Sequence, residues 1–347
     1  MTSNRSLMWI ATGAAAAMGG VAILWQDARY RRGLPRGDTA LVDAARKLNR
    51  SAGVLATAVL ADSGMEHLRG DFERPAMYAP LVAAALSLLA SGHGVADRRR
   101  EAHWLRDPAY LLAAVTGLAG TGFHLYNVGK RPGGYSWENL FYAAPIGAPS
   151  ALVLSGMLGV LAERVRDAAP QPAPHVLGVS AADAVAALAA GGLLGTAAEA
   201  ALLHFRGAFQ HPAMYLPVAA PPLAALMLAA AAVLDDRTPR LRWWSRVTLR
   251  FTALLGFAGS AFHANGIARS MGGWSNWRQN LLAGPPLPAP PSFTGLAMAG
   301  LAAHELLRER STRGDAHGRQ ALTDRAAARA FAPFSRWRGA RRDGAAT

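Results

Sequence analysis

The chain has 347 residues, with 36 Lys and Arg against 22 Asp and Glu for a formal charge of +14, ten His and no Cys. The lack of Cys excludes disulfides, thiolate zinc sites, iron–sulfur clusters and covalently attached c-type haem, and leaves His as the available soft ligand. Apolar residues fall into long runs and not into amphipathic stripes, which is the pattern of a membrane protein.

The first run, Leu7 to Trp25, is followed and not preceded by its positive charge, at Arg29, Arg31, Arg32 and Arg36. A cleaved secretion signal carries that charge in front. Residues 1–50 are therefore expected to form a retained helix with its N-terminus outside, then a basic cytoplasmic segment. A weaker run from Ala52 to Gly64 comes next, followed by Met77 to Leu89, Tyr110 to Tyr126 and Ala143 to Leu161. The second half supplies Ala181 to Leu203, Met214 to Leu234, Phe251 to Ile267 and Pro288 to Leu307. Most approach the roughly 20 residues a spanning helix needs, so about nine transmembrane helices are expected.

Between these runs the sequence repeats itself. His67-Leu-Arg-Gly-Asp-Phe-Glu-Arg-Pro-Ala-Met-Tyr-Ala-Pro80 returns as His204-Phe-Arg-Gly-Ala-Phe-Gln-His-Pro-Ala-Met-Tyr-Leu-Pro217, identical at nine of fourteen positions. Random pairs agree about one time in fifteen on average residue usage, so this is duplication. Gly117, Gly120, Thr121, Phe123 and His124 recur as Gly256, Gly259, Ser260, Phe262 and His263. Gly133-Gly134-Tyr135-Ser136-Trp137 and Asn139-Leu140 recur as Gly272-Gly273-Trp274-Ser275, Trp277 and Asn280-Leu281. The expected fold is thus an all-α integral membrane protein: one N-terminal helix plus two tandem parallel four-helix repeats, residues 51–166 and 181–307. A Pro-rich linker, 167–180, joins them, and a basic tail, 308–347, follows. Composition predicts a mobile tail, with an amphipathic piece at Ala326 to Trp337 that can rest on the membrane.

An even number of spans per unit gives both copies one orientation and puts every recurring motif on one face. The loops of that face carry seven Lys and Arg, and the opposite face carries 28. By the positive-inside rule the motif loops lie outside, in a periplasm or its equivalent, and the C-terminus is cytoplasmic in a bacterial-type inner membrane. The positive charge then belongs beside the anionic lipid leaflet, and no nucleic-acid-binding module is recognisable.

Gly, Pro, Phe and Tyr of the first motif are accounted for by a hairpin with interfacial aromatic anchors. His and Arg are not. His67 and His124 end helices on the same face, as do His204 and His263, so four imidazoles are placed at similar depth. Gly120 and Gly259 lie one helical turn before His124 and His263, where a small residue leaves room for a flat ring. Arg69 and Arg206 have the fork geometry that binds carboxylates or other anions. These features point to one haem b per unit, ligated by His67 with His124 and by His204 with His263, in an electron-transfer subunit between a periplasmic dehydrogenase and quinone. Asp62 and Glu199 are equivalent acids five residues before the first His, about 140° around the helix from it, so they suit a supporting or proton-relay role. Trp137 and Trp277 read as interfacial anchors or as covers over a cofactor ring, and Asn139 and Asn280 as caps of the following helix.

Other readings stay open: a carrier for a small anion recognised by Arg69 and Arg206, a membrane enzyme holding a single ion with the four His, and a purely structural role. No phosphate-binding loop, dinucleotide fingerprint, nucleophile elbow or metalloprotease signature is present.

Overall fold

A computed structural model describes residues 39–142, 146–167, 174–234 and 238–312. The expected helix at Leu7 to Trp25, the core of the linker and the tail beyond residue 312 lie outside the described residues. What is described is all-helical apart from a small hairpin, and four helices, Pro75–Ala96, Gly147–Asp167, Ala181–Arg206 and Pro212–Leu234, are long and apolar enough to cross a membrane.

The first half holds α1 (Thr39–Arg69), α2 (Ala79–Ala96), α3 (Arg106–Gly129), the short α4 (Trp137–Tyr142) and α5 (Gly147–Asp167). The second half holds α6 (Ala181–Arg206), α7 (Leu216–Leu234), α8 (Pro239–Arg269), the short α9 (Trp277–Ala283) and α10, over 291–312. Part of the expected linker is ordered as β1 (His175–Val176) and β2 (Val179–Ser180). Leu177 and Gly178, both at positive φ, make their two-residue turn.

Helices α1 and α8 each run 31 residues, far beyond the apolar runs that marked them. At 1.5 Å per residue each spans about 46 Å, more than the roughly 30 Å hydrocarbon layer. The excess is the basic N-terminal part, with Arg46, Lys47 and Arg50 in α1 and Arg240 to Arg250 in α8. Arg and Lys are good helix formers, so charge ends the hydropathy signal without ending the helix.

In the first half α1 packs on α2 and α5, and α3 packs on α2 and α5. Small residues set these distances. A methyl on Gly117 of α3 would lie 2.6 Å from the Pro149 carbonyl oxygen of α5, and one on Gly156 of α5 would lie 2.4 Å from the Tyr110 carbonyl oxygen of α3. The second half shows the counterpart, with Gly256 of α8 against the Pro290 carbonyl at 2.8 Å. Between the halves, Gly295 of α10 meets Leu55 of α1, and Gly192 of α6 meets Leu154 of α5 and Leu296 of α10. One buried apolar cluster results, running through Leu48 and Leu55, Leu158 and Leu161, Val185 and Leu193, and Leu296 and Leu306.

Candidate functional site

Each copy of the duplicated passage ends its helix in the same way. The Phe72 amide donates to the His67 carbonyl at 3.0 Å and Asp71 to Leu68 at 3.1 Å; Phe209 donates to His204 at 3.0 Å and Ala208 to Phe205 at 2.9 Å. This crossed pair of bonds is a Schellman termination. The left-handed positions are not the glycines but Asp71 and Phe72 (φ 50° and 49°) and Ala208 and Phe209 (φ 56° and 45°). Gly70 and Gly207 instead admit the methyl groups of Met77 and Met214, each 3.4 Å from where a Cβ would stand. Pro75 and Pro212 then open short 3₁₀ turns. The turn stacks Phe72 on Tyr78 at 4.4 Å and Phe209 on Tyr215 at 4.5 Å, with the His67 and His204 rings edge-on to the phenylalanines.

The histidines are held by carbonyls. His67 Nδ1 lies 2.6 Å from the Met77 oxygen, His204 Nδ1 2.9 Å from the Met214 oxygen, and His263 Nδ1 2.7 Å from the Pro286 oxygen. A carbonyl can only accept, so in all three rings Nδ1 carries a proton, and Nε2 is the ring nitrogen not engaged by that carbonyl. His204 and His263 lie within electrostatic range of one another. All four predicted histidines, His124 included, are half-buried.

Arg69 and Arg206 bridge the two halves. Arg69 pairs with Glu66 at 3.0 Å and donates to the carbonyl of Leu282, in the short α9 of the second half. Arg206 sits over the ring of Tyr142, in the short α4 of the first half, at 5.5 Å. The Cβ positions of Gly120 and Gly259 lie 3.2 and 2.8 Å from the Cβ of Pro149 and Pro290, so these glycines also let the helices pack closely.

The adjacent-glycine loops follow the sequence reading: Gly133 and Gly134 stand at φ 88° and 56°, Gly272 and Gly273 at 79° and 49°. The asparagines behind them do not cap a following helix with their side chains. Asn139 Nδ2 donates to the carbonyls of Pro132 and Gly134 at 2.9 and 2.7 Å, and Asn280 Nδ2 to those of Met271 and Gly273 at 3.1 and 2.8 Å, so each amide braces its own loop. Trp137 and Trp277 are exposed, 65% and 58%, on the short helices α4 and α9.

Asp62 and Glu199 lie within electrostatic range of one another where the halves meet. Glu199 Oε1 accepts the Gly147 amide at 3.2 Å, at the N-terminus of α5, where a carboxylate also gains from the helix dipole. Among the described residues no group of three or more His, Asp or Glu is arranged to hold a metal ion.

A second cluster, absent from the sequence reading, lies at the opposite ends of the helices. Arg106 Nη1 is 2.9 Å from Asp97 Oδ2 and 3.1 Å from His93 Nδ1, and Arg106 Nη2 is 2.7 Å from Glu163 Oε2. Arg166 donates to the carbonyls of Gly94, Asp97 and Arg99 at 2.7 to 2.9 Å. Tyr110 donates to Asn49 Oδ1 at 2.6 Å beside them. Arg106, Glu163, Arg166 and Tyr110 are all fully buried. Burial alone raises the pKa of Asp97, but the charge and hydrogen bond of Arg106, with help from Arg166, win, and the carboxyl is held below its usual range. Arg106 is pulled down by burial and held above its ordinary value by Glu163 and Asp97.

The second half does not repeat this network. By the offsets of the duplication, Arg106 and Glu163 correspond to Ser245 and His304, which make the same helix-to-helix contact as a neutral 2.8 Å hydrogen bond. Tyr110 and Arg166 correspond to Leu249 and Leu307, both fully buried apolar residues. A run of charges that survives in one copy while the other turns apolar was the available sequence clue.

Comparison with protein-family models, with curated proteins and with solved structures finds no match for this chain.

Proposed function

We propose that the chain is a multi-pass inner-membrane electron-transfer subunit built from an N-terminal helix and two tandem, parallel four-helix units, nine spans in all, with the motif loops outside and the C-terminus cytoplasmic. Each unit, α1, α2, α3 and α5 or α6, α7, α8 and α10, holds haem b between its two outer histidines: His67 with His124, and His204 with His263. The observation that carries the reading is the shared orientation of three of these rings, each with Nδ1–H on a main-chain carbonyl, which leaves Nε2 as the nitrogen that would face a metal. That is how ligating imidazoles are oriented and made more basic.

The donor set fits this group better than the alternatives. Zinc-type sites take three or four protein ligands, whereas a haem iron takes only one or two axial ligands from the protein. A carrier would need Arg69 open to its solute, and Arg69 is committed to Glu66 and the Leu282 carbonyl. When bound, haem supplies a one-electron iron couple. The chain's own residues do the rest: Met77, Met214 and Pro286 carbonyls fix ring orientation, and the Phe72–Tyr78 and Phe209–Tyr215 stacks shield the imidazoles from water. Asp62 and Glu199 are placed to take up or release a proton as charge changes outside. The partners are a periplasmic dehydrogenase and membrane quinone.

Haem extraction as the pyridine complex tests this on the full chain. One haem per four-helix unit is expected in the wild type, and half that amount in His204→Ala and in His263→Ala. Protein free of haem from cells supplied with it, or equal haem in all three proteins, overturns the proposal.

A further inference from the structure

At the ends of the helices away from the duplicated hairpins, a cavity of about 330 Å³ opens between the two halves. Its walls come from three helices: Lys47 and Arg50 of α1, Arg246 and Arg250 of α8, and Arg308 of α10. Lys47 lies 20 residues before His67 in one helix, about 30 Å along it, so this cavity is remote from the histidines. Among the described residues Glu305 is the one acid in its wall, paired with Lys47. Five cations against one carboxylate leave an excess of four.

That excess is placed at a cost. Arg246 and Arg250 are four residues apart on one helical face, where like charges repel, and Arg50 and Arg308 approach from other helices. The buried network of the first half shows what this chain does with cations it pairs internally: Arg106 receives both Asp97 and Glu163. Among the described residues no such acid pairs with Arg50, Arg246, Arg250 or Arg308. Its volume holds about ten waters, room for a phosphodiester head group. Met298 and Leu301 add an apolar side to the wall, which bare inorganic phosphate does not use and the glycerol and first methylenes of a lipid do.

We infer that this cavity is a binding site for a phosphate-bearing anion, filled by the head group of an anionic phospholipid, with Arg50, Arg246, Arg250 and Arg308 as its ligands. Arginine forks suit phosphate oxygens, and a basic pocket between membrane helices is where such head groups bind. The inference does not depend on the haem assignment.

The test uses the full chain, delipidated in detergent, with thermal unfolding midpoint and retained lipid phosphorus as readouts. Phosphatidylglycerol, phosphatidylcholine and inorganic phosphate at matched ionic strength are the probes. Phosphatidylglycerol is expected to raise the midpoint and phosphatidylcholine to leave it unchanged, with an effect that weakens as salt rises. Arg50→Gln/Arg250→Gln is expected to weaken phosphatidylglycerol binding about 25-fold, from about fivefold for each cation near an anionic surface. Glu305→Gln frees Lys47 and is expected to tighten binding about fivefold on the same basis. Should the double variant unfold early, Glu305→Gln still decides, because weaker or unchanged binding there overturns the site. If inorganic phosphate protects alone and displaces the lipid, the site stands with a soluble occupant. If neither anion binds better than chloride, or the double variant binds as wild type does, the inference is wrong.

Discussion

Glu163→Gln removes one charge from the buried network and keeps the shape of the side chain. Arg106 retains Asp97 at 2.9 Å, but the group then carries two guanidiniums against one carboxylate, all buried. Removing one partner of a buried ion pair costs about 3–5 kcal/mol, because the remaining charge has lost both water and its counter-ion. At about 2 °C per kcal/mol for a chain of this size, the unfolding midpoint is expected to fall by about 6–10 °C. His304→Leu, at the equivalent place in the second half, breaks only the neutral 2.8 Å bond to Ser245. That change costs about 1–2 kcal/mol, or about 2–4 °C. Adding Arg106→Met to Glu163→Gln restores charge balance and is expected to recover at least half of the loss. Scanning fluorimetry of these four proteins and of Arg106→Met alone, in one detergent, reads all of this. A Glu163→Gln shift no larger than that of His304→Leu, or losses that simply add in the double variant, would refute the ionic account of this cluster.

Ala208 occupies a left-handed helix termination at φ 56°, so Ala208→Gly is expected to stabilise the chain by about 1 kcal/mol, seen as a higher unfolding midpoint. Gly147→Ala puts a methyl against the Glu199 carboxylate, which must swing away from the Gly147 amide, so the midpoint is expected to fall by about 2–4 °C for the lost charge-assisted bond, and Glu199→Ala in the wild type is expected to cost about as much. Asp97 is held below its unfolded pKa by Arg106, so it contributes stability above the ordinary carboxylate range that is lost as pH falls through its depressed folded value. Acid titration of the midpoint should therefore be less steep in Asp97→Asn than in the wild type.

The recurring passage is legible because a His, Arg, Gly, Phe, Pro and Tyr pattern stands out from apolar runs, and its two occurrences fold to matching bonds at His67 and His204. The paired glycines of the two later loops are legible too, since their backbone angles admit little else. Helix ends are not: hydropathy marks the apolar layer, so it leaves the basic first turns of α1 and α8 outside the runs. Nothing local shows that Leu282 and Tyr142 come to meet Arg69 and Arg206 across the halves. Nor does anything local show that Pro149 and Pro290, about thirty residues away in sequence, pack on Gly120 and Gly259. The buried network was invisible because Arg106 and Glu163 stand 57 residues apart and each sits near a helix end, where a charge usually meets water.

The reduced-minus-oxidised absorption spectrum of the purified full chain tests the haem assignment most directly. The expected result is a Soret and α-band pattern of low-spin haem with two nitrogen ligands, diminished in His204→Ala and in His263→Ala and intact in Arg69→Gln. A featureless spectrum from protein made in haem-replete cells, or a spectrum unchanged by both His substitutions, would contradict it.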